Sequence, residues 1–266
     1  MIIRIDDPDD PRLAAYRDIR ERDLVGREGR FVAEGKVVLN VLLGARRFEA
    51  ESMLVLENRL AGLEGMLDAA PATMPVYVAS ANVLDRVAGY HVHRGVLAIG
   101  RRREEQSVDG LLAGLAPRAM VLALIGISNH DNMGAIFRNA AAFEADAVLL
   151  DRSCCDPLYR KAIRVSVGAV LKVPFATGSG NGLVESLQRN GFGLLALSPG
   201  GRLDIAKVER RDRVALLLGT EGEGLPPALM ERLQTARIGM SKDFDSLNVA
   251  AASAIALHRL WRGAAR

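Results

Sequence analysis

The sequence predicts an α/β protein in two domains, the second of which contains a parallel sheet covered on both faces. The chain has 266 residues, which is enough for two domains of ordinary size. Strand-like and helix-like segments alternate along its whole length. In the second part the strand-like segments are short, continuous apolar runs, a pattern typical of parallel strands buried between layers of helices.

The first hundred residues alternate between short apolar segments, which predict strands, and segments with apolar residues at helical spacing, which predict helices. These elements predict a small α/β sandwich over residues 1–105. The charged and then turn-like stretch RRREEQSVDG marks its end, and residues 106–118 are interpreted as a linker. The predicted elements are, in chain order, strand RFVAEG, helix KVVLNVLLGAR, strand AESMLVLEN, a helix over 59–70, strand MPVYVAS, helix NVLDRVAG and strand GVLAIGRR.

Residues 119–266 form the second predicted domain. The sequence contains no internal repeat and no low-complexity tract, which disfavours repeat architectures and disorder. The predicted strands of this domain are MVLALIGIS, DAVLLDRS, VGAVLKVPFA, GFGLLALSP, RVALLLGTE and ARIGM, and the predicted helices cover 133–144, 181–190, 227–234 and 246–262.

Composition narrows the classes of protein further. Hydrophobic residues make up 49% of the chain and charged residues 25%, the balance of a globular protein with a core. No apolar run reaches the roughly 20 residues that span a bilayer. The acidic N-terminus lacks an apolar signal core, so we expect a cytoplasmic protein without a membrane segment. The adjacent Cys154 and Cys155 suit neither a disulfide nor a metal cage, and the histidines lack metal-ligand spacing, so no metal is expected.

The formal net charge is only +3, but the arginines are unevenly placed. They cluster at Arg17–Arg30, Arg101–Arg103 and Arg152–Arg164. Such clusters suit phosphate ligands, because the guanidinium fork can bind two oxygens at once. A solvated, salt-bridged surface is the alternative for the first cluster, since acidic residues interleave it.

Three loops of the second domain carry the polar residues that suggest a ligand site. They contain the sequences SNHDNMGAIFRNAAAF, GTEGEGLPP and GMSKDFDSLN, and each follows a predicted strand and precedes a helix. Ligands of open parallel sheets bind beyond the carboxyl ends of the strands, where helix N-termini offer free N–H groups. A phosphate loop would need lysine where Glu221 and Glu223 stand, so the second loop favours a cationic or hydroxylated ligand over a nucleoside triphosphate.

Each loop also has a purely structural interpretation. GTEGEGLPP can be a tight turn with surface acids, and Asn248 can simply cap the helix that follows it. The glycine-rich FATGSGNGL departs from the dinucleotide-binding fingerprint, because its third glycine falls one residue early, and it is interpreted as a flexible loop.

Taken in this order, the three loops resemble the three sequence motifs of the SpoU/TrmH branch of the SPOUT RNA methyltransferases. The stretch YRKAIRVSVGAVLKVPF is also similar to that family, and the resemblance covers roughly residues 119–262. It implies a C-terminal α/β-knot domain with a trefoil knot, an exception to the rule that chains avoid threading. It also implies a smaller N-terminal substrate-binding domain that resembles a ribosomal-protein fold, and a homodimer whose active site joins residues of both subunits.

The resemblance implies S-adenosylmethionine as the cofactor and methyl donor, and a ribose 2′-hydroxyl of tRNA or rRNA as the acceptor. The residues that match the family's catalytic positions are Asn132, Arg138, Glu221, Ser246 and Asn248. The cofactor would bind near Leu197, Ser198, Gly219, Gly222, Ile238, Met240 and Leu247.

The sequence departs from the family pattern at three places. His130-Asp131 stands where Asp-Pro often precedes the asparagine, and Gly239 stands where a proline often precedes Met240. Glu144 replaces the glycine that usually follows the phenylalanine, at a position where a helix-ending turn is expected.

Arg138 has two alternative roles under this resemblance. A guanidinium stays protonated at neutral pH, which favours a clamp on the phosphate beside the target ribose that also stabilises the developing alkoxide. The alternative is a neutralised Arg138 that acts as a base.

The RNA substrate itself, and the nucleotide that is methylated, are left open. A non-catalytic RNA-binding protein on the same scaffold is the competing hypothesis. The predicted phosphate contacts are Arg20, Arg27, Arg30, Lys36, Arg160 and Arg164.

Overall fold

The computed structural model describes residues 1–17, 25–26, 28–103, 105–241, 243, 245–261 and 263. The chain forms two compact units. The first unit comprises Met1–Glu104 and Asp156–Lys172, and the second comprises Glu105–Cys155 and Val173–Arg266. The segment Asp156–Lys172 therefore clusters with the first unit, although in sequence it lies within the second predicted domain.

The described strands are β1 (Ile2–Arg4), β2 (Arg30–Glu34), β3 (Phe48–Leu56), β4 (Val76–Ala79), β5 (Val96–Arg102), β6 (Ala119–Leu124), β7 (Ala147–Asp151), β8 (Phe175–Gly178), β9 (Gly193–Leu197), β10 (Leu203–Asp204), β11 (Arg213–Leu218) and β12 (Gln234–Arg237). The described α-helices are α1 (Lys36–Gly44), α2 (Glu64–Asp68), α3 (Ala81–Ala88), α4 (Val108–Ala113), α5 (His130–Ala142), α6 (Arg160–Val165), α7 (Ala169–Lys172), α8 (Gly180–Arg189), α9 (Pro227–Met230) and α10 (Val249–Leu260). Short 3-10 helices cover Pro11–Tyr16, Glu57–Leu63 and Ile205–Lys207.

The first unit is built on a mixed five-stranded sheet of order β1-β4-β3-β5-β2. Strand β4 runs parallel to β1 and β3, whereas β5 runs antiparallel to β2 and β3. Apolar side chains of the sheet pack against α3 and the first 3-10 helix, with Leu13, Tyr16 and Leu84 almost completely buried. Residues 1–105, which the sequence predicts to form a sandwich, contribute all five strands of this sheet.

The second unit is built on a seven-stranded sheet of order β10-β12-β9-β11-β6-β7-β8, in which every neighbouring pair is parallel. Every residue of β6 and all but the first residue of β11 are buried, because helices cover both faces of these central strands. The predicted α/β fold with a parallel sheet is confirmed.

Several element predictions were wrong in detail. Four residues of VGAVLKVPFA form helix α7, and strand β8 begins only at Phe175, because a short continuous apolar run suits a buried helix as well as a buried strand. The helix predicted over 227–234 ends after a single turn, since strand β12 begins at Gln234. Residues 106–118, which the sequence predicts to be a linker, contain helix α4. Its Leu111 and Leu112 are buried in the core of the second unit.

The topology brings the three polar loops to one edge of the second sheet. Strands β12, β9, β11 and β6 are consecutive neighbours and parallel, so their carboxyl ends lie side by side. Two glycines permit close backbone approach there: a Cβ atom at Gly219 would overlap the backbone of Gly224, and one at Gly201 would overlap that of Ala236.

Candidate active site

A pocket opens in the second unit where the loops after β9, β11 and β12 meet the start of α10. Its volume is about 860 Å³, including the part open to solvent. All seven residues predicted to contact the cofactor line this pocket, together with three of the predicted catalytic residues. The lining residues are Leu197, Ser198, Pro199, Leu218, Gly219, Thr220, Glu221, Gly222, Gly224, Ile238, Met240, Ser246, Leu247, Asn248, Val249 and Ala252.

Three side chains from three distant parts of the chain form a hydrogen-bond network at this pocket. The Asn132 amide Nδ2 donates to Glu221 Oε1 over 2.6 Å. Asn248 Nδ2 lies 2.8 Å from the same carboxylate oxygen and 3.0 Å from Asn132 Oδ1. One carboxylate oxygen therefore connects the loops after β6, β11 and β12, and we call these residues the Asn-Glu-Asn network.

Helix caps hold the two asparagines of the network in place. Asn129 caps α5, because its Oδ1 accepts hydrogen bonds from the backbone N–H groups of Asp131 and Asn132 at 2.7 and 3.3 Å. Asn248 caps α10, and its Oδ1 accepts from Ala250 and Ala251. The Asn248 amide thus caps the helix with its oxygen and contacts the network with its nitrogen, so the two interpretations of this residue are compatible.

Arg138 stands apart from these residues. It lies on an exposed face of α5 and does not line the pocket. Within the described part of the chain, no hydrogen bond or ion pair holds its side chain. Asn132, Glu221 and Asn248 are brought together in one chain, Ser246 joins them only as a pocket wall, and Arg138 is not brought to them.

A buried polar contact beside the site was not predicted from the sequence. Asn139 Nδ2 donates to the Ala250 carbonyl at 2.8 Å and to Ser253 Oγ at 2.9 Å, and Ser253 Oγ donates to the same carbonyl. These bonds join α5 to α10. Lone polar residues inside two Ala-rich helices are the signal that could have revealed them.

The role of Asp151, which fixes the loop before α5, was also not predicted from the sequence. Asp151 Oδ1 accepts from the backbone N–H groups of Gly126, Ser153 and Cys154 at 3.0 to 3.1 Å. Burial raises the pKa of the neighbouring Cys154 thiol to about 12, so this side chain is a neutral packing group at physiological pH.

The turn after α5 forms although Glu144 replaces the usual glycine. Glu144 adopts a left-handed backbone conformation with φ of 55°. Its carboxylate accepts a hydrogen bond from Trp261 Nε1 at 2.9 Å, and Phe143 packs against the rings of His258 and Trp261. These contacts with the end of α10 accompany a conformation that is unfavourable for a residue with a side chain.

Residues 119–258 match the SpoU rRNA Methylase family. The chain is also 42% identical to an uncharacterised tRNA/rRNA methyltransferase of Mycobacterium bovis, over 96% of this chain and 90% of that protein. The chain belongs to the SpoU rRNA Methylase family. The predicted family membership is therefore confirmed.

Two solved structures are similar to this chain over nearly its whole length. The AdoMet-bound rRNA methyltransferase of Sinorhizobium meliloti has the same fold, with a TM-score of 0.81, 22% identity and 98% of both chains covered. A crystallised RNA 2′-O ribose methyltransferase is 28% identical, with a TM-score of 0.75 and again 98% of both chains covered. Both similarities extend over both units of this SpoU protein, beyond the residues that match the family.

The predicted RNA-contacting residues of this SpoU protein have different surroundings. Arg20 and Arg27 lie outside the described residues. Arg30 forms ion pairs with Glu28 and Glu51, at 3.0 and 2.7 Å. The other three lie on helices of the first unit: Lys36 Nζ donates to the Gly62 carbonyl at 2.7 Å, Arg160 stacks 4.2 Å from the centre of the Tyr90 ring, and Arg164 is exposed.

Among the residues that the structure describes, no three or more His, Cys, Asp or Glu side chains are grouped so that they could hold a metal ion. No helix formed by these residues has the length and apolar character needed to cross a membrane.

Proposed function

We propose that this SpoU protein transfers a methyl group from S-adenosylmethionine to a ribose 2′-hydroxyl of tRNA or rRNA. The observation that carries the proposal is the Asn-Glu-Asn network beside the pocket, because it joins the three family motifs through polar side chains. The names of the related proteins support it: the Mycobacterium bovis relative is called a tRNA/rRNA methyltransferase, and the crystallised relative is an RNA 2′-O ribose methyltransferase.

The pocket residues fit S-adenosylmethionine. The apolar side chains of Leu197, Ile238 and Leu247 would hold the adenosyl group, and Glu221 offers a carboxylate to a cationic ligand. Gly219 and Gly222 leave backbone groups accessible because they carry no side chain. When bound, the cofactor supplies a methyl group activated by a positively charged sulfur.

The remaining chemistry is alignment of the ribose oxygen, loss of its proton to solvent water and stabilisation of the resulting alkoxide. Alignment alone can supply several kcal/mol of rate acceleration. Asn132 is buried and held by Glu221, so its position is well defined for this task. Arg138 binds the phosphate next to the target ribose and stabilises the alkoxide, since a guanidinium is an effective electrostatic clamp and a poor base.

A homodimer would complete the site. Arg138 is exposed on α5, and Leu247, Ile255 and Trp261 are exposed at or beside α10, which packs against α5. Large apolar side chains that one chain leaves exposed can be covered by a partner chain. A second copy of the chain that covers this surface would bring its own Arg138 to the Asn-Glu-Asn network.

A trefoil knot in the second unit is part of the same proposal. The close backbone approaches at Gly219 and Gly201 support it, since a chain that threads through its own loop needs such crossings. Threaded chains are rare among folds, so a knot would be a family feature rather than a general property of parallel sheets.

Two measurements test the proposed function. Calorimetric titration should show stoichiometric binding of S-adenosylmethionine. Incubation of the protein with labelled cofactor and ribosomal or transfer RNA should yield 2′-O-methylated nucleosides after digestion. The competing hypothesis, a non-catalytic RNA-binding protein, is supported instead if RNA binds but the cofactor does not.

A further inference from the structure

Ion pairs neutralise Arg30 at the start of β2 and Arg101 near the end of β5. Both arginines contact Glu51 on β3, at 2.7 and 3.0 Å. Arg30 also contacts Glu28, and Arg101 contacts Glu49. Because these ion pairs within the protein largely neutralise their charge, the two arginines are poor candidates for binding an external anion.

Four other arginines meet at the end of the same sheet. Arg46 and Arg47 immediately precede β3, while Arg102 ends β5 and Arg103 follows it. The backbone N–H of Arg103 donates to the Arg47 carbonyl at 3.1 Å, and Arg102 pairs with Phe48 in the strand register. We call Arg46, Arg47, Arg102 and Arg103 the arginine corner.

The side chains of the arginine corner differ in their surroundings. Asp156 lies 3.6 Å from Arg102 as a loose ion pair. Arg46 and Arg103 are exposed, and their side chains form no hydrogen bond or ion pair in the part of the chain that is described.

Arg47 is half-buried and lies close enough to Arg102 for the two charges to repel each other. Burial and then the charge of Arg102 lower the pKa of its guanidinium to about 10. A cation that is partly desolvated beside another cation is stabilised when an anion binds both.

We propose that the arginine corner binds backbone phosphates of the substrate RNA, an inference that rests on the proposed function. One guanidinium group can bind two phosphate oxygens at once, and it can also stack on an exposed base. Arg46 and Arg103 stand on neighbouring chain segments, so they can contact successive phosphates, whereas a single small anion would occupy only part of the corner.

The test compares two double variants of the full-length protein with equal loss of charge. Arg46→Gln with Arg103→Gln removes the two exposed corner charges. Arg118→Gln with Arg189→Gln is the matched control, because both arginines are exposed and paired with Asp212 and Asp109. Binding of a fluorescent oligouridine is measured by anisotropy over a series of KCl concentrations.

The corner variant should bind the RNA about tenfold more weakly at low salt. The slope of its log affinity against log salt should be shallower by roughly 1.4, since each single-strand phosphate contact contributes about 0.7. The control variant should match the wild type in both quantities. Equal binding by the corner variant and wild type, or equal losses in both variants, would overturn the proposal.

Two further arms separate the alternatives. Inorganic phosphate at low millimolar concentration should leave RNA binding unchanged, and displacement of the RNA would assign the corner to free phosphate instead. Cofactor titration and methyl transfer are measured on the same samples. Methylation with unaltered RNA binding in the corner variant contradicts only this inference, whereas corner-dependent RNA binding without cofactor binding contradicts only the proposed function.

Discussion

The single oxygen Glu221 Oε1 accepts hydrogen bonds from Asn132 and from Asn248. Both donors are amides, so the bonds do not require the glutamate to carry a charge, yet the residue in this position is an acid. A carboxylate at the wall of a pocket attracts a cationic ligand. We therefore assign Glu221 two tasks, which are to orient the asparagines and to favour a positively charged sulfur.

Glu221→Gln separates these tasks. Glutamine retains an acceptor oxygen for both amides but lacks the charge, so we expect several-fold weaker binding of S-adenosylmethionine and little change for the uncharged thioether product, S-adenosylhomocysteine. Glu223→Gln is the control, because Glu223 is exposed on the same loop and does not line the pocket. Calorimetric titration of both ligands gives the comparison, and an equal loss for the two ligands would contradict the electrostatic task.

At the scale of elements, the site depends on how α5 is held against α10. Asn139 lies next to Arg138 and donates to two acceptors on α10, Ala250 and Ser253. Ser253 is completely buried, so these bonds are shielded from water. The pair sets the position of the helix that carries both Asn132 and Arg138.

Removing this contact should cost stability. Asn139→Ala leaves Ser253 and the Ala250 carbonyl with one donor fewer in a buried place, and we expect the free energy of unfolding to fall by about 1–2 kcal/mol. Asn190→Ala is the matched control, because its amide donates at 2.9 Å to Ser186 within its own helix turn and is only half-buried. Urea denaturation followed by circular dichroism measures both. A loss no greater than that of the control would show that the contact contributes little.

Features that depend on residues close together in the sequence could be predicted, whereas features that depend on contacts between distant residues could not. The β6 and β11 strands could be predicted because continuous burial leaves a continuous apolar run. Helix α7 could not, because its four residues, three of them apolar, are too few to show a period that separates helix from strand.

The site shows the same division. The resemblance supplied the pocket residues, because those residues are local to the motifs. The Asn139–Ser253 contact was missed, since it depends on which faces of two helices meet. Of the arginine corner, the sequence showed only the cluster Arg101–Arg103, because Arg47 and Arg103 are brought together by the strand register.

At the scale of the whole molecule, the exposed position of Arg138 is the decisive feature. One chain assembles the pocket and the Asn-Glu-Asn network but leaves this arginine outside them. If a homodimer completes the site, Arg138 of one subunit acts with Asn132 of the other. In this arrangement two variants that each lack one of these residues can complement each other, whereas they cannot if both residues act within one chain.

Mixing two inactive variants distinguishes the arrangements. Arg138→Ala and Asn132→Ala should each abolish most methyl transfer, and their co-expression should restore about a quarter of the wild-type activity, since half of the dimers formed at random are mixed and each has one intact site. Each variant co-expressed with itself is the control. Sedimentation confirms that dimers form, and absence of recovery in mixed dimers would place Arg138 and Asn132 of one chain in the same site.

The Asn-Glu-Asn network also has a thermodynamic consequence. Its members are separated by 89, 116 and 27 positions in the chain, so no excised fragment that carries one motif can reproduce the pocket. If S-adenosylmethionine binds in this pocket as proposed, we expect local melting of any one of the three loops to abolish its affinity, and bound ligand to protect all three. A saturating ligand therefore raises the melting temperature of the entire second unit by mass action, which makes a thermal-shift screen of adenosyl compounds a direct assay of the intact fold.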